Sequence, residues 1–111
     1  MIVDDDVVLL RAIQSVFTHL GHRVWARADA AAAFQVIESE PLDGLVTDLS
    51  LPCGGGIRLA ERASIRIPAL RVVVYSGRSM PAALPGRARF VQKPVFDKHR
   101  HVRAVRWAAM T

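Results

Sequence analysis

Cysteine, aromatic residues and long apolar runs are all scarce in this chain, and each scarcity closes off a class of protein. Cys53 is the single cysteine, so no internal disulfide can form, and a reducing compartment is expected rather than a secreted disulfide scaffold. It is read as a small loop residue. Aromatic residues make up only 6% of the chain. Trp25 and Trp107 are read as packing residues, since nothing in their placement suggests a platform for stacking bases. The longest apolar stretch, around residues 72–75, falls far short of the roughly 20 residues that a membrane-spanning helix needs. The chain turns acidic at residue 4, which leaves no basic lead and no hydrophobic signal core. A cytoplasmic domain without membrane contact is therefore expected.

The 111 residues are 51% apolar and 23% charged, enough for one domain, 1–111, around one core, and too apolar for disorder. Much of the net charge of +5 lies late, at Arg87, Arg89, Lys93, Lys98, Arg100, Arg103 and Arg106. A basic final helix is more commonly a solvated face or a surface for an acidic partner than a reader of DNA. No helix-turn-helix pair or zinc-ligand set accompanies it, so direct nucleic-acid binding is not expected. His99 and His101 stand two apart and share no helix face.

Hydrophobic periodicity alternates between two patterns along the chain. Ile2-Val3 is a short strand running into carboxylates. Asp6 stands where an N-cap belongs, ahead of a helix with Leu9, Leu10, Ile13, Val16, Phe17 and Leu20 at helical spacing and Gly21 as its stop. Residues 23–27 alternate as a second strand. Asp29 caps an alanine-rich helix through Ile37, which Pro41 ends. Residues 42–48 make a third strand, and 49–55 a loop with Pro52 and glycines. A third helix carries Ile57, Leu59, Ala60, Ala63 and Ser64 and stops before Pro68. Residues 70–75 hold three consecutive valines, the pattern of a strand buried on both faces. Phe90-Val91 is a last short strand, followed by a basic helix with Phe96, Val102, Val105 and Ala109. Strand and helix alternate, which predicts an α/β fold, a doubly wound parallel sheet with helices on both faces. Between Ser76 and Phe90 the prolines at 81 and 85 leave room for one helical turn at most, so the fourth helix is expected to be shortened or missing.

The chemistry-bearing residues cluster at strand ends. Asp4 and Asp5 follow the first strand, Asp48 the third, Ser76 the fourth and Lys93 the fifth. In open parallel sheets sites form beyond the carboxyl ends of the strands, so all of these converge on one crevice. Three carboxylates there repel one another unless a cation or raised pKa values intervene. An oxygen-only donor set favours magnesium over zinc. A carboxylate beside magnesium and an ammonium can attack a phosphoryl group to give an aspartyl phosphate, with a hydroxyl such as that of Ser76 donating to a phosphoryl oxygen.

The segments IVDDD (2–6), LVTDLSLPCGGG (45–56), VVVYSG (72–77) and FVQKPVF (90–96) resemble, in order and placement, the signature segments of bacterial response-regulator receiver domains. The resemblance implies a flavodoxin-like five-stranded sheet of order 2-1-3-4-5. It implies Asp48 as phosphoacceptor, with phosphate coming from a histidine kinase or a histidine phosphotransfer protein. It further implies Asp5 as a direct Mg2+ ligand, Asp4 as a mainly water-mediated one and the Ser50 backbone carbonyl completing the metal site. Ser76 and Lys93 would hold phosphoryl oxygens, Phe90 would be the aromatic partner of the Ser76 switch, and the Lys93-Pro94 bond would be cis. Phe90 stands where tyrosine is frequent in the family, and the shortened fourth crossover is most like receivers that work with hybrid histidine kinases.

The expected role is thus a signalling phosphoacceptor rather than an enzyme that turns over. Its output would go to a downstream protein or a fused domain outside these residues. A phosphate sink and a receiver-fold interaction module that ignores phosphate are the alternatives. A small phosphatase would want an acid–base carboxylate two residues after Asp48, where Ser50 stands.

Overall fold

The computed structural model describes residues 1–52, 55–77, 84 and 88–92. These residues form β1 (Ile2–Val3), α1 (Val7–His19), β2 (Ala26–Arg27), α2 (Ala30–Ser39), β3 (Gly44–Asp48), α3 (Gly55–Arg66), β4 (Arg71–Ser76) and β5 (Arg89–Gln92). All five strands run parallel in one sheet of order β2-β1-β3-β4-β5, as the sequence pattern and the resemblance implied. The expectations for a shortened fourth helix, for a final helix beginning near Phe96, and for Cys53, Lys93, Pro94, His99, His101 and Trp107 lie outside the described residues.

The sheet is covered on both faces, and strand parity decides which residue meets which helix. Val3, Leu45, Val72 and Val74 point to the side where α2 and α3 bring Ala33, Val36, Ile37, Leu59, Ala60 and Ala63. Ile2, Val46, Val73, Tyr75 and Val91 point to the other side, against Leu10, Ile13 and Phe17 of α1. Burial on both faces explains why 72–74 reads as an unbroken valine run.

The helices begin and end where their caps allow. The Asp6 carboxylate accepts from the backbone N–H groups of Val8 and Leu9, and that of Asp29 from Ala32, satisfying donors that a first helical turn cannot. After α1, Gly21 takes a φ of 91°, a left-handed turn that costs glycine little. Of the α1 stripe, Leu10, Ile13 and Phe17 are buried, while Val16 and Leu20 are exposed at 40% and 39%. The covered face is therefore narrower than the periodicity implied.

Four boundaries differ from the sequence reading. The second strand is confined to Ala26–Arg27, because β1, its partner, contributes just two residues to the ladder. The contact extends one residue further back, where the carbonyl of Trp25 accepts from Ile2 N–H at 2.8 Å. The third strand starts at Gly44 rather than residue 42. The third helix starts at Gly55, so Gly55, assigned to the loop, is helical, as is Gly56 after it. Ser76, placed after the fourth strand by sequence, is its last residue.

Candidate functional site

The C-terminal ends of β1, β3 and β4 lie side by side, and their register sets the site. Val3 pairs with Thr47, Thr47 with Val74, and Asp48 with Tyr75. One residue beyond Val3, Asp4 therefore continues the row that Asp48 and Tyr75 define, on the face that also carries α1. Asp4 is fully buried and Asp48 is 4% exposed, whereas Asp5 is exposed at the mouth.

Oxygens of Asp4, Asp5 and Asp48 all come within 4.8 Å of one another. At that separation two ionised carboxylates repel by about 3 kcal/mol for an effective dielectric constant near 20. Part of this charge is met by the backbone. The Asp48 carboxylate accepts from Ser50 N–H at 2.9 Å, and Asp4 Oδ1 accepts from Asp6 N–H at 2.8 Å. Asp4 Oδ2 accepts from the Tyr75 hydroxyl. A carboxylate oxygen can accept more than one bond, so these contacts do not by themselves bar a cation or water. Three carboxylates, two of them buried and one open to solvent, form a donor set that suits a hard cation such as Mg2+.

The hydroxyl side of the site is built by the next turn. Ser76, fully buried at the end of β4, has its Oγ 3.3 Å from the Ser50 Oγ. The β3–α3 turn is pinned to β4 by Leu49 N–H donating to the Tyr75 carbonyl at 2.8 Å. α3 then closes over the end of β3 so tightly that a Cβ on Gly56 would lie 2.1 Å from the Asp48 carbonyl oxygen. The glycine there is a requirement of this close approach.

Of the residues singled out by sequence, Asp4, Asp5, Asp48, Ser50 and Ser76 thus gather at one end of the sheet. Phe90 is half-buried in β5, opposite Val74, and parity puts it on the same sheet face as Ser76. Gln92 pairs with Ser76, so the backbone leaves β5 beside the site; Lys93 and Pro94 follow it in sequence. Asp6 is an N-cap. Asp43, exposed, precedes its strand.

Tyr75 was missed, having been read as one more member of an apolar strand. Its ring is completely buried, and burial, followed by the hydrogen bond to Asp4, pushes its hydroxyl pKa well above the usual phenol range. It therefore stays a donor. The signal available in sequence was the hydroxyl itself, which needs a partner when buried.

The fold and this row of acidic strand ends define a flavodoxin-like α/β architecture with a carboxylate-lined crevice, and comparison with known proteins gives it a family. The chain belongs to the response regulator receiver domain family, whose model matches residues 1–106. It is 27% identical over 103 residues to the response regulator receiver protein CpdR of Brucella abortus, covering 93% of this chain and 86% of that protein. It is 30% identical over 79 residues, 71% of this chain, to the TorCAD operon transcriptional regulatory protein TorR of Escherichia coli, and that match takes in only 34% of the longer relative. Among solved structures, the signal receiver domain of an HD domain-containing protein from Pseudomonas fluorescens superposes with a TM-score of 0.84 at 25% identity, covering 96% of this chain and 90% of that one. Members of this family are signalling modules of two-component systems. No described helix is long and apolar enough to cross a membrane.

Proposed function

We propose that residues 1–111 are a single phosphoacceptor receiver domain of a phosphorelay, in which a histidine kinase or histidine phosphotransfer protein delivers phosphate to Asp48. The observation that carries this reading is the convergence of Asp4, Asp5 and Asp48 within 4.8 Å at the carboxyl ends of β1 and β3, in a chain of the receiver family. Asp5, Asp48 and the Ser50 carbonyl would hold Mg2+ directly and Asp4 through water. Bound there, the cation would draw off the negative charge that otherwise keeps a phosphoryl group away from these carboxylates.

An Asp48 carboxylate oxygen attacks phosphorus, the P–N bond of the phosphohistidine breaks, and the imidazole leaves with the electron pair and takes up a proton. The Ser50 N–H bond to Asp48 fixes the carboxylate's orientation for this attack. Ser76 donates its hydroxyl to a phosphoryl oxygen, and Lys93 supplies an ammonium to another. For Ser76 this means exchanging the Ser50 hydroxyl, at 3.3 Å, for the phosphoryl oxygen. That exchange draws the end of β4 toward the phosphoryl group and gives Phe90, on the same face, room to reorient. Phosphate thereby shifts the balance between two surface states that a partner can tell apart. A kinase partner of this kind places the domain in the cytoplasm, with output through a downstream protein or a fused domain beyond these residues.

Intact-mass analysis after incubation with acetyl phosphate, with and without Mg2+, tests the reading on wild type and Asp48→Asn. A magnesium-dependent gain of one phosphoryl group in wild type alone is expected. An equal gain in Asp48→Asn would sink the assignment of the acceptor, and no gain in a folded wild type would favour an interaction module that ignores phosphate.

A further inference from the structure

We propose that Tyr75 is a positioning residue for the divalent cation, its hydroxyl orienting the Asp4 carboxylate from two strands away; the proposal rests on the metal reading given above. Tyr75 stands on β4 and Asp4 follows β1, with β3 between them. Strands are spaced at about 4.8 Å, so the gap to be crossed is about 10 Å between backbones. Of the hydroxyl side chains only tyrosine can reach a carboxylate over that distance. Its ring fills the space that an apolar residue would fill equally well in the cluster with Ile2, Val46, Val73 and Val91, so packing alone gives no reason for the hydroxyl.

The hydroxyl has a specific destination. Asp4 Oδ1 is bonded by Asp6 N–H at 2.8 Å and Oδ2 by Tyr75, so donors hold both oxygens. The terminal torsion of an aspartate is soft, and a carboxylate with one donor can still swing about it. Two donors on opposite oxygens remove that freedom before any ligand arrives. The carboxylate held in this way shares its pocket with Asp5 and Asp48. Partners that orient a metal's direct ligands are typically worth about 10–100-fold in metal affinity; Asp4 would hold the cation through water, so the low end of that range applies to Tyr75.

Three measurements test this: Mg2+ titration by calorimetry, thermal melts without added metal, and the 13Cζ resonance of Tyr75 in labelled wild type. Tyr75→Phe keeps the ring and removes the donor. Val73→Ala, two residues away on the same face and 1% exposed, weakens the same cluster and leaves the hydroxyl in place. The expected result is a Kd for Mg2+ weakened about tenfold in Tyr75→Phe. Val73→Ala should lower the melting temperature with its Kd within about twofold of wild type, the low end of ordinary context effects on a site it does not touch. In wild type, the Tyr75 13Cζ line should move with the same midpoint as the amides of Asp5 and Asp6. A Tyr75→Phe protein that binds Mg2+ as well as wild type would overturn the proposal. So would a 13Cζ line that stays still while those amides shift, an outcome that needs no folded variant. A wild type that binds no Mg2+ would instead overturn the metal reading itself.

Discussion

Replacing Gly56 with alanine should damage both the fold and the site, and the size of the effect follows from one distance. A Cβ at this position would sit 2.1 Å from the Asp48 carbonyl oxygen, 2.8 Å from Leu49 Cα and 2.9 Å from the Leu49 carbonyl oxygen. An unstrained carbon–oxygen contact lies near 3.3 Å, so α3 would have to withdraw by about 1 Å from the end of β3. All three obstacles are backbone, and none can swing aside as a side-chain tip could. Overpacking of this kind costs about 1–3 kcal/mol, here at the upper end. Alanine is the better helix former by about 1 kcal/mol, which leaves a net loss of about 2 kcal/mol. At about 4 °C per kcal/mol for a domain of this size, the melting temperature should fall by about 8 °C.

Gly55 supplies the control. Its added Cβ would lie 3.1 Å from the Ala30 Cβ and 3.3 Å from the Leu51 Cβ, so a shift of only a few tenths of an ångström relieves the contact. Gly55→Ala should therefore lie within about 1 kcal/mol of wild type, the gain in helix propensity offsetting a mild clash. Parallel urea and thermal unfolding of the two variants, followed by far-UV circular dichroism, makes the comparison. Because the Gly56 clash falls on the carbonyl of Asp48 and on Leu49, that variant should also take up phosphate from acetyl phosphate more slowly than Gly55→Ala. Equal stability of the two variants, or a Gly56→Ala protein as stable as wild type, would refute the reasoning.

Two further outcomes separate the neighbouring acidic residues. Asp6→Ala should lose about 1 kcal/mol in urea unfolding, the usual worth of an N-cap, since its carboxylate bonds Val8 N–H at 3.1 Å and Leu9 N–H at 3.2 Å; its Kd for Mg2+ by calorimetry should stay that of wild type. Mg2+ at about 100 times its Kd should stabilise the wild type by about 2.7 kcal/mol, read as a rise in melting temperature that a chelator reverses and that Asp5→Asn loses at the same Mg2+ concentration.

Much of the fold was legible because local and tertiary requirements agree. Asp6 and Asp29 stand where an unsatisfied first turn needs an acceptor, and each side chain is found on that turn. Gly21 was expected to stop α1, and it has the positive φ that makes it a stop. The valine run in β4 was legible because helices cover both faces. The errors come from places where the two requirements part. Gly55 and Gly56 fall outside the helix that the sequence pattern predicts from Ile57, because glycine is a poor helix former. Here the helix must touch the backbone of β3, and a requirement of contact outweighs a preference of about 1 kcal/mol per residue. β2 was drawn too long because alternation along 23–27 records burial of one face and says nothing of how many residues its partner can pair.

The site was legible for a different reason. Parallel strands all point their carboxyl ends the same way, so residues at the ends of runs separated by tens of positions must become neighbours. Placing Asp4, Asp5, Asp48 and Ser76 together required only the order of runs, not any distance. Tyr75 escaped this logic because it lies inside a run, one residue short of its end. Its partner is found by counting across strands rather than along one: the register sets Asp48 opposite Tyr75, and Asp4 is the next position in that row. A buried hydroxyl next to a strand end, in a sheet whose neighbouring strands end in carboxylates, has those carboxylates within reach as acceptors. Leaving it without one would cost about 1–3 kcal/mol, comparable to the repulsion between two of these carboxylates. The same hydrogen bond therefore answers two demands at once, the tyrosine's need for an acceptor and the pocket's excess of negative charge, and that coincidence ties residue 75 to residue 4.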